Sequence, residues 1–278
     1  MERILTLIIA LGVLSLVFGL AEWRWPAVRN QKLLRRGWLT DVTWWLFTPT
    51  LGKLFSGIFV AVVIISLARL LGMPITLDHL KGLVERDTAI GRQPIAIQLL
   101  AFLLLADLLA YWQHRAFHHF ERLWRIHAVH HSSTELDWLS AVRVHPLNDA
   151  LSSTAIAAPL ILLGFNPLTL AAYLPFLTFY AIAIHANVSW DLGPLRHVIS
   201  SPAFHRWHHS AEAEALDKNF AGLFPVFDRL FGTLYMPKDK RATVFGVVDQ
   251  SVPSGFVSQL TYPLRKTRPV PQPSPSPA

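Results

Sequence analysis

Three short histidine motifs are the residues of this chain whose type and spacing are best suited to chemistry. The segment YWQHRAFHHF has two histidines four residues apart, and HAVHHS and HRWHHS each follow the pattern HxxHH. Side chains three and four residues apart share one face of a helix, so each motif can direct its imidazoles to one place. Eight imidazoles are enough for two metal ions, and imidazole suits Zn, Cu, Fe or Ni. The eight predicted metal ligands are His114, His118, His127, His130, His131, His205, His208 and His209.

Two further histidines are possible ninth ligands. His185 ends an apolar segment in HANVSW, where it reaches the side of the membrane that carries the motifs, and we expect it to bind metal. His145, in RVHPLND, is the alternative. We expect His145 and Asn187 to lie behind the ligands and orient them. No catalytic residue beyond the metal ligands is predicted.

An acidic residue lies on the same helix face as the first motif. Asp107, Tyr111, His114 and His118 differ in direction by only about 60° around a helix. A carboxylate inside a membrane span costs about 2.5–3.5 kcal/mol on insertion scales unless it finds a partner. The outer N–H of a metal-bound imidazole would be such a partner, so we expect Asp107 to orient a ligand.

The chain that positions these residues is largely apolar. Of its 278 residues 52% are hydrophobic and 15% are charged, whereas an ordinary soluble domain has about 25% charged residues. The net charge is +7, and in so apolar a chain it favours anionic lipid headgroups over nucleic acid as a partner. The absence of cysteine excludes disulfides and thiolate metal sites.

The apolar segments predict an integral-membrane helical bundle. Residues 4–21, 54–71 and 95–112 are each long enough to span a bilayer. Residues 150–184 form a longer apolar region that suits two short helices turning at residues 164–167. We therefore predict an all-α fold with three spans, a re-entrant helix pair and a cytoplasmic histidine-rich helical cap.

Charge distribution and composition predict the orientation and the domain boundaries. Residues 22–41 hold five Lys or Arg, against one before the first span, so this loop is expected in the cytoplasm together with all the histidine motifs. We predict a membrane region over residues 1–93, a catalytic domain over 94–240 and a C-terminal extension over 241–278. From about residue 263 the extension is proline-rich and is expected to be disordered.

The motifs and their flanks resemble the fatty acid hydroxylase/sterol desaturase superfamily, the integral-membrane diiron oxygenases. The resemblance covers about 130 residues and includes DLLAYWQHRAFHH, LWRIHAVHHSS, AVRVHPLND, HANVSWDLGP, SPAFHRWHHS, DKNFAG and FDRLFGTLY. Four of these segments are also similar to the alkylglycerol monooxygenase branch. The resemblance implies two non-haem Fe ions, O2 as co-substrate and a separate electron donor.

The expected function is O2-dependent hydroxylation or desaturation of a C–H bond of a lipid that enters from the bilayer. A sterol or carotenoid desaturase or hydroxylase on the same scaffold is the first alternative. A non-enzymatic histidine-rich membrane metal-binding protein is an alternative of another class. A metal transporter would place polar residues along several spans, and only Asp107 is clearly intramembrane.

Overall fold

The fold of this chain is built from helices. The computed structural model describes residues 2–70, 72, 74–76, 78–79, 82, 87–248 and 252–265. Within these ranges β-pairing is limited to two isolated bridges, Pro26 with Val188 and Ser210 with Phe245, which confirms the all-α prediction. The α-helices are α1 (Glu2–Arg24), α2 (Trp38–Phe47), α3 (Lys53–Leu70), α4 (Ile95–His119), α5 (Glu121–His131), α6 (Pro146–Leu162), α7 (Pro167–His185), α8 (Pro202–His208), α9 (Val226–Leu230) and α10 (Phe256–Leu260). Short 3₁₀ turns cover Trp138–Val142, Gly193–His197, Ala213–Ala215 and Tyr262–Leu264.

Three helical segments are long and apolar enough to cross a membrane. They are Ile4–Arg24, Trp38–Leu70 and Ile95–His119, and few of their side chains are buried inside the protein. An apolar surface of this length is stable only in lipid or against another apolar surface. The structure therefore has a helix able to form each of the three predicted spans, although the second begins earlier than the expected residue 54.

The early start of the second span has a local cause. Pro49 and Gly52 in the sequence indicate a helix end, because proline lacks a backbone N–H and glycine is a poor helix former. The chain instead forms a single π-helical turn at Thr48–Gly52 that joins α2 to α3 without a break. Within this turn the Thr50 hydroxyl donates to the Leu46 carbonyl at 2.5 Å.

The two apolar helices α6 and α7 turn where the sequence predicts. Gly164 has φ +95°, a conformation that favours glycine, and an added Cβ would lie 2.8 Å from the Thr88 side chain. Thr88 in turn donates to the Gly164 carbonyl at 2.8 Å. Whether this helix pair re-enters the membrane stays a prediction.

Buried charged groups hold the loop after α1 against the end of the bundle that carries the histidines. Arg35 donates to both oxygens of Asp137, at 2.7 and 2.5 Å, and to Asp41 at 2.8 Å. The Arg143 guanidinium binds the other Asp41 oxygen at 2.6 and 2.7 Å. All four side chains are buried. Removing one partner of such a group costs about 3–5 kcal/mol, so these contacts fix the loop firmly.

The predicted domain boundaries at residues 93 and 240 stay predictions. The C-terminal extension contacts the bundle through Gln259, which accepts a hydrogen bond from the Trp44 indole N–H at 2.9 Å. The predicted disordered tail begins at about residue 263, but residues up to 265 include the ordered turn Tyr262–Leu264. Residues 266–278 lie outside the described part of the chain.

Candidate metal centre

The nine predicted ligands lie together and divide into two groups. Within each group one nitrogen of every ring lies within 4.8 Å of the corresponding nitrogen of all the others. The five-histidine group consists of His114, His118, His127, His131 and His208. The four-histidine group consists of His130, His185, His205 and His209. The structure therefore offers two positions for a metal, as the number of histidines predicts.

Each HxxHH motif is shared between the two groups, which differs from the expectation that a motif points all its rings to one place. His127 and His131 join the five-histidine group, while His130 joins the other. The second motif does the reverse, since only His208 reaches the five-histidine group. Consecutive helical residues point about 100° apart, so the last two histidines of each motif diverge. The i, i+4 pair lies in one group and the i+3 residue in the other.

His185 completes the four-histidine group. It is the last residue of α7, and its Nε2 lies 3.1 Å from the Nε2 atoms of His130, His205 and His209. His185 is buried, with an exposed fraction of 4%. The prediction that His185 is the ninth ligand thus has the required geometry.

The hydrogen bonds of His130 and His185 indicate that a cation belongs between them. Their Nδ1 atoms lie 3.3 Å from the Arg143 carbonyl and 2.6 Å from the Ala181 carbonyl. A carbonyl only accepts, so Nδ1 carries the proton in both rings and each Nε2 has a lone pair. Burial, with the neighbouring His185, lowers the pKa of His130 well below its usual range, so a second proton is disfavoured. Two lone pairs 3.1 Å apart repel unless a metal ion lies between them.

The five-histidine group also has buried nitrogen lone pairs that a metal ion would satisfy. The Nε2 atoms of His118 and His208 are buried, and neither has a hydrogen-bond partner within the described part of the chain. His208 donates from Nδ1 to the Lys218 carbonyl at 2.9 Å, so its Nε2 also carries a lone pair. Buried polar atoms are rarely left unpaired, and a bound metal would satisfy both nitrogens.

One loop orients three rings of the five-histidine group. Residues 217–224, with the sequence DKNFAGLF, form the segment that we call the acceptor loop. Asp217 and Asn219 adopt φ of 56° and 58°, which these two residue types tolerate better than most. The contacts are His118 Nδ1 to Asp217 Oδ1 at 3.2 Å, His208 Nδ1 to the Lys218 carbonyl at 2.9 Å and His114 Nδ1 to the Phe220 carbonyl at 2.9 Å. Such outer acceptors fix the tautomer and orientation of a ligating imidazole.

Asp107 holds this loop and does not touch an imidazole, which corrects the expected contact. Its carboxylate accepts the backbone N–H groups of three successive loop residues, Gly222, Leu223 and Phe224, at 3.0, 2.9 and 2.7 Å. Burial of the carboxylate was predicted correctly, and these three donors compensate for it. Asp107 therefore supports the imidazoles only indirectly, by holding the acceptor loop in place.

Asp228 binds the preceding part of the acceptor loop. It accepts the backbone N–H groups of Phe220 at 2.7 Å and Ala221 at 2.9 Å, together with the Thr233 hydroxyl at 2.7 Å. Two carboxylates thus bind five consecutive backbone N–H groups. DKNFAG and FDRLFGTLY carry part of the family resemblance, but their residue types do not indicate that the two segments join to support the histidines.

His145 and Asn187 also differ from the expectation that they orient ligands. His145 caps α6 by accepting the Leu147 N–H at Nδ1, and its Nε2 lies 2.9 Å from the Leu260 carbonyl. Asn187 exchanges two hydrogen bonds with the Val28 backbone, at 2.9 and 3.0 Å. Both side chains therefore connect backbone segments, and Asn187 fixes the chain immediately after His185.

Fold and site together define a class, namely integral-membrane helical proteins with two adjoining histidine groups suited to metal at one end of the bundle. Residues 99–233, just under half of the chain, match the family model described as fatty acid hydroxylase. All nine grouped histidines lie within the matched segment. The resemblance inferred from the histidine motifs is confirmed.

Individual relatives agree with the family match. The chain is 33% identical over 174 residues to an ornithine lipid hydroxylase, OlsE, of Rhizobium tropici, which is 62% of this chain and 52% of that protein. It is 38% identical over 141 residues to the alkylglycerol monooxygenase of Danio rerio, which is 51% of this chain and 31% of that protein. The corresponding human enzyme is 34% identical over 137 residues, or 49% of this chain and 30% of the enzyme. No solved structure matches the chain.

Proposed function

We propose that this protein is a membrane-bound non-haem diiron oxygenase that hydroxylates a C–H bond of a lipid with O2 and external electrons. The observation that carries the proposal is the pair of adjoining groups whose Nε2 lone pairs face one another. Imidazole ligands alone suit several metals, so the assignment of iron rests on relatives named as a hydroxylase and as monooxygenases. Two irons in these groups would supply the oxidising power needed to attack an unactivated carbon.

The protein's own residues hold and shield the centre. The nine imidazoles are the proposed ligands, and the acceptor loop fixes three of them in one tautomer. The Phe117 ring stacks on His127 with centroids 5.4 Å apart, and Trp124 lies against His131 at the same distance. These aromatic rings limit the access of water to the five-histidine group, which protects a reactive centre from side reactions.

The position of the centre favours a lipid as substrate. His114 and His118 occupy the last turns of α4, the third apolar span, so the centre lies where the bundle meets the membrane surface. An apolar chain can reach such a centre directly from the bilayer. The names of the relatives favour hydroxylation over desaturation as the reaction.

The cytoplasm is the side that we propose for the centre. Four cationic residues at the end of α1 and in the loop after it are exposed, namely Arg24, Arg29, Lys32 and Arg36. The loop contacts the histidine-bearing end through the Gln31 amide, which donates to the Leu136 carbonyl at 3.1 Å. Loops rich in Lys and Arg remain in the cytoplasm. A separate cytoplasmic electron donor would then have access to the centre.

The decisive experiment uses the full chain in lipid nanodiscs, loaded with iron and supplied with a chemical reductant, ¹⁸O2 and a bacterial lipid extract. We expect two irons per chain and a lipid product that carries one labelled oxygen. The variant His130→Ala should yield no labelled product, whereas His119→Ala, an exposed histidine outside both groups, should behave as the parent protein. Iron-loaded protein that consumes no O2 and labels no lipid would refute the proposal.

A further inference from the structure

A cavity with a strongly basic lining lies beside the helix that carries the second HxxHH motif. Its volume is about 220 Å³, and its walls include Arg206 and Trp207 of α8. The cationic residues that line it are Arg196, Arg206, Lys238, Lys240 and Arg241, against two carboxylates, Asp191 and Asp239. A second cavity of about 270 Å³ shares Arg196 and Lys238 and adds His197 and Arg229. Positive charge thus exceeds negative charge over a continuous concave surface.

Arg206 adds a fixed positive charge to the wall of this cavity. The residue is 2% exposed, its Nη1 donates to the Leu136 carbonyl at 3.0 Å, and its guanidinium lies over the Phe245 ring. Its Nη2 is buried and has no hydrogen-bond partner in the residues that the structure describes, so Arg206 contributes charge to the cavity and not a direct hydrogen bond.

The cavity also lies beside the end of the first apolar span. Ala27 and Ser189 contribute to its wall. Their backbone segments pair at the end of α1, where the Ala27 N–H donates to the Asn187 carbonyl at 3.1 Å and the Ser189 N–H donates to the Trp25 carbonyl at 2.8 Å. The first span ends at Arg24, and the rings of Trp25 and Trp190 pack together there at 5.7 Å. Tryptophan collects at the height of lipid headgroups, so a basic cavity here faces headgroups.

We propose that this cavity binds the anionic phosphate-type group of a lipid headgroup, and that it selects and positions the lipid substrate. The inference rests on the proposed function in so far as that lipid is the one oxidised. A volume of about 220 Å³ accommodates a headgroup but is smaller than the pockets of roughly 300–1,000 Å³ that enclose whole ligands. Arg206 directly follows His205 on α8, so a bound headgroup would set which part of the lipid chain lies near the metals.

Direct binding measurements test the proposal without relying on turnover. The iron-loaded full chain is placed in nanodiscs whose lipids carry no net charge. It is then titrated by calorimetry with dihexanoylphosphatidate, with dihexanoylglycerol and with inorganic phosphate. We expect the phosphatidate to bind and the uncharged dihexanoylglycerol not to bind. The double variant Lys238→Gln with Lys240→Gln, at two exposed positions, should bind phosphatidate about tenfold more weakly, because two charge-assisted contacts are lost.

A matched control separates this site from general attraction to a basic surface. The double variant Lys32→Gln with Arg36→Gln removes the same charge from two other exposed positions and should bind phosphatidate like the parent protein. Equal losses in both double variants would overturn the proposal, as would inorganic phosphate binding as tightly as phosphatidate. A third result would also overturn it: the parent protein does not bind phosphatidate, and an acidic electron-donor protein stimulates O2 consumption less in the Lys238→Gln with Lys240→Gln variant than in the parent. That result would assign the surface to a protein partner.

Iron content and O2 consumption of the same samples distinguish the two proposals. If the protein binds phosphatidate through Lys238 and Lys240 but oxidises no lipid, the cavity stands and the proposed function fails. If it oxidises lipid while phosphatidate binding is absent, the proposed function stands and the cavity assignment is wrong.

Discussion

The five-histidine and four-histidine groups use the same two HxxHH motifs, but they are supported in different ways. In the five-histidine group the outer nitrogens bind acceptors remote from the ligand helices, on the acceptor loop and at Asn148 of α6. In the four-histidine group His185 donates to Ala181, one turn earlier on its own helix, and His130 to the nearby Arg143 carbonyl. His185, His205 and His209 of the four-histidine group are buried, whereas His114 and His118 are partly exposed.

This difference indicates that the two groups depend on different parts of the chain. The described contacts of the four-histidine group include none to the acceptor loop, so its geometry should resist changes in that loop. The five-histidine group depends on a loop that is itself held by Asp107 and Asp228. Variants of these supporting residues should therefore affect one metal position and spare the other.

The largest effect is expected where a ligand of the smaller group is removed. His205→Ala leaves three imidazoles in the four-histidine group, and we expect metal content to fall from about two towards one per chain and turnover to cease, because the proposed reaction needs both metals correctly held. Metal analysis and O2 consumption measure both effects. Two bound metals and normal turnover in this variant would show that His205 is not a ligand.

The variant Asp107→Leu should produce the next largest effect, and one confined to the other group. It leaves the N–H groups of Gly222, Leu223 and Phe224 without an acceptor, and each such buried group costs about 1–3 kcal/mol. We expect the acceptor loop to leave its position and the five-histidine group to lose metal. Mössbauer spectroscopy of the ⁵⁷Fe-loaded protein should show one iron signal diminished and the other retained. Equal loss of both signals would contradict the separate support of the two groups.

The sequence predicted the parts of the site that depend on local spacing. Residues three and four apart on a helix share a face, and this identified all eight motif histidines. The length of an apolar segment, combined with the position of its last residue, identified His185. The divergence of the last two histidines of each motif follows from the spacing, but which rings of α5 meet which rings of α8 depends on the angle at which the two helices face each other. No spacing within one motif contains that angle.

The supporting contacts were harder to predict because they join residues far apart in the sequence. His118 and Asp217 are 99 positions apart, and Asp107 and Gly222 are 115 apart. The sequence shows that a buried Asp107 needs a partner, but backbone N–H groups occur everywhere and leave no pattern that names one. The only local signal is the DKN segment itself, whose residue types suit the positive φ angles that present its carbonyls.

A moderate effect is expected from the acceptor that α6 supplies. Asn148 Oδ1 lies 2.8 Å from His127 Nδ1, and loss of such a contact typically lowers metal affinity by about 10–100-fold. We expect Asn148→Ala to weaken metal binding in the five-histidine group within that range, and Asn148→Asp, which keeps an acceptor oxygen, to restore it. Competition with a chelator measures the affinity. If the alanine and aspartate variants released metal equally, the hydrogen bond to His127 would have no role.

The smallest effect is expected at Asp217, because water can replace its carboxylate. The side chain is 72% exposed and lies 3.2 Å from His118 Nδ1, so a solvent molecule can accept the same N–H once the carboxylate is removed. Its φ of 56° calls for a substitution that tolerates this conformation, so Asp217→Gly removes the acceptor without adding strain, and Asp217→Asn keeps both the acceptor and a suitable backbone. We expect the glycine variant to bind metal up to about tenfold more weakly and the asparagine variant to match the parent protein, with chelator competition as the measurement. A loss in Asp217→Gly as large as that in Asn148→Ala would mean that solvent cannot replace this acceptor, and that exposure does not rank the supports of the five-histidine group.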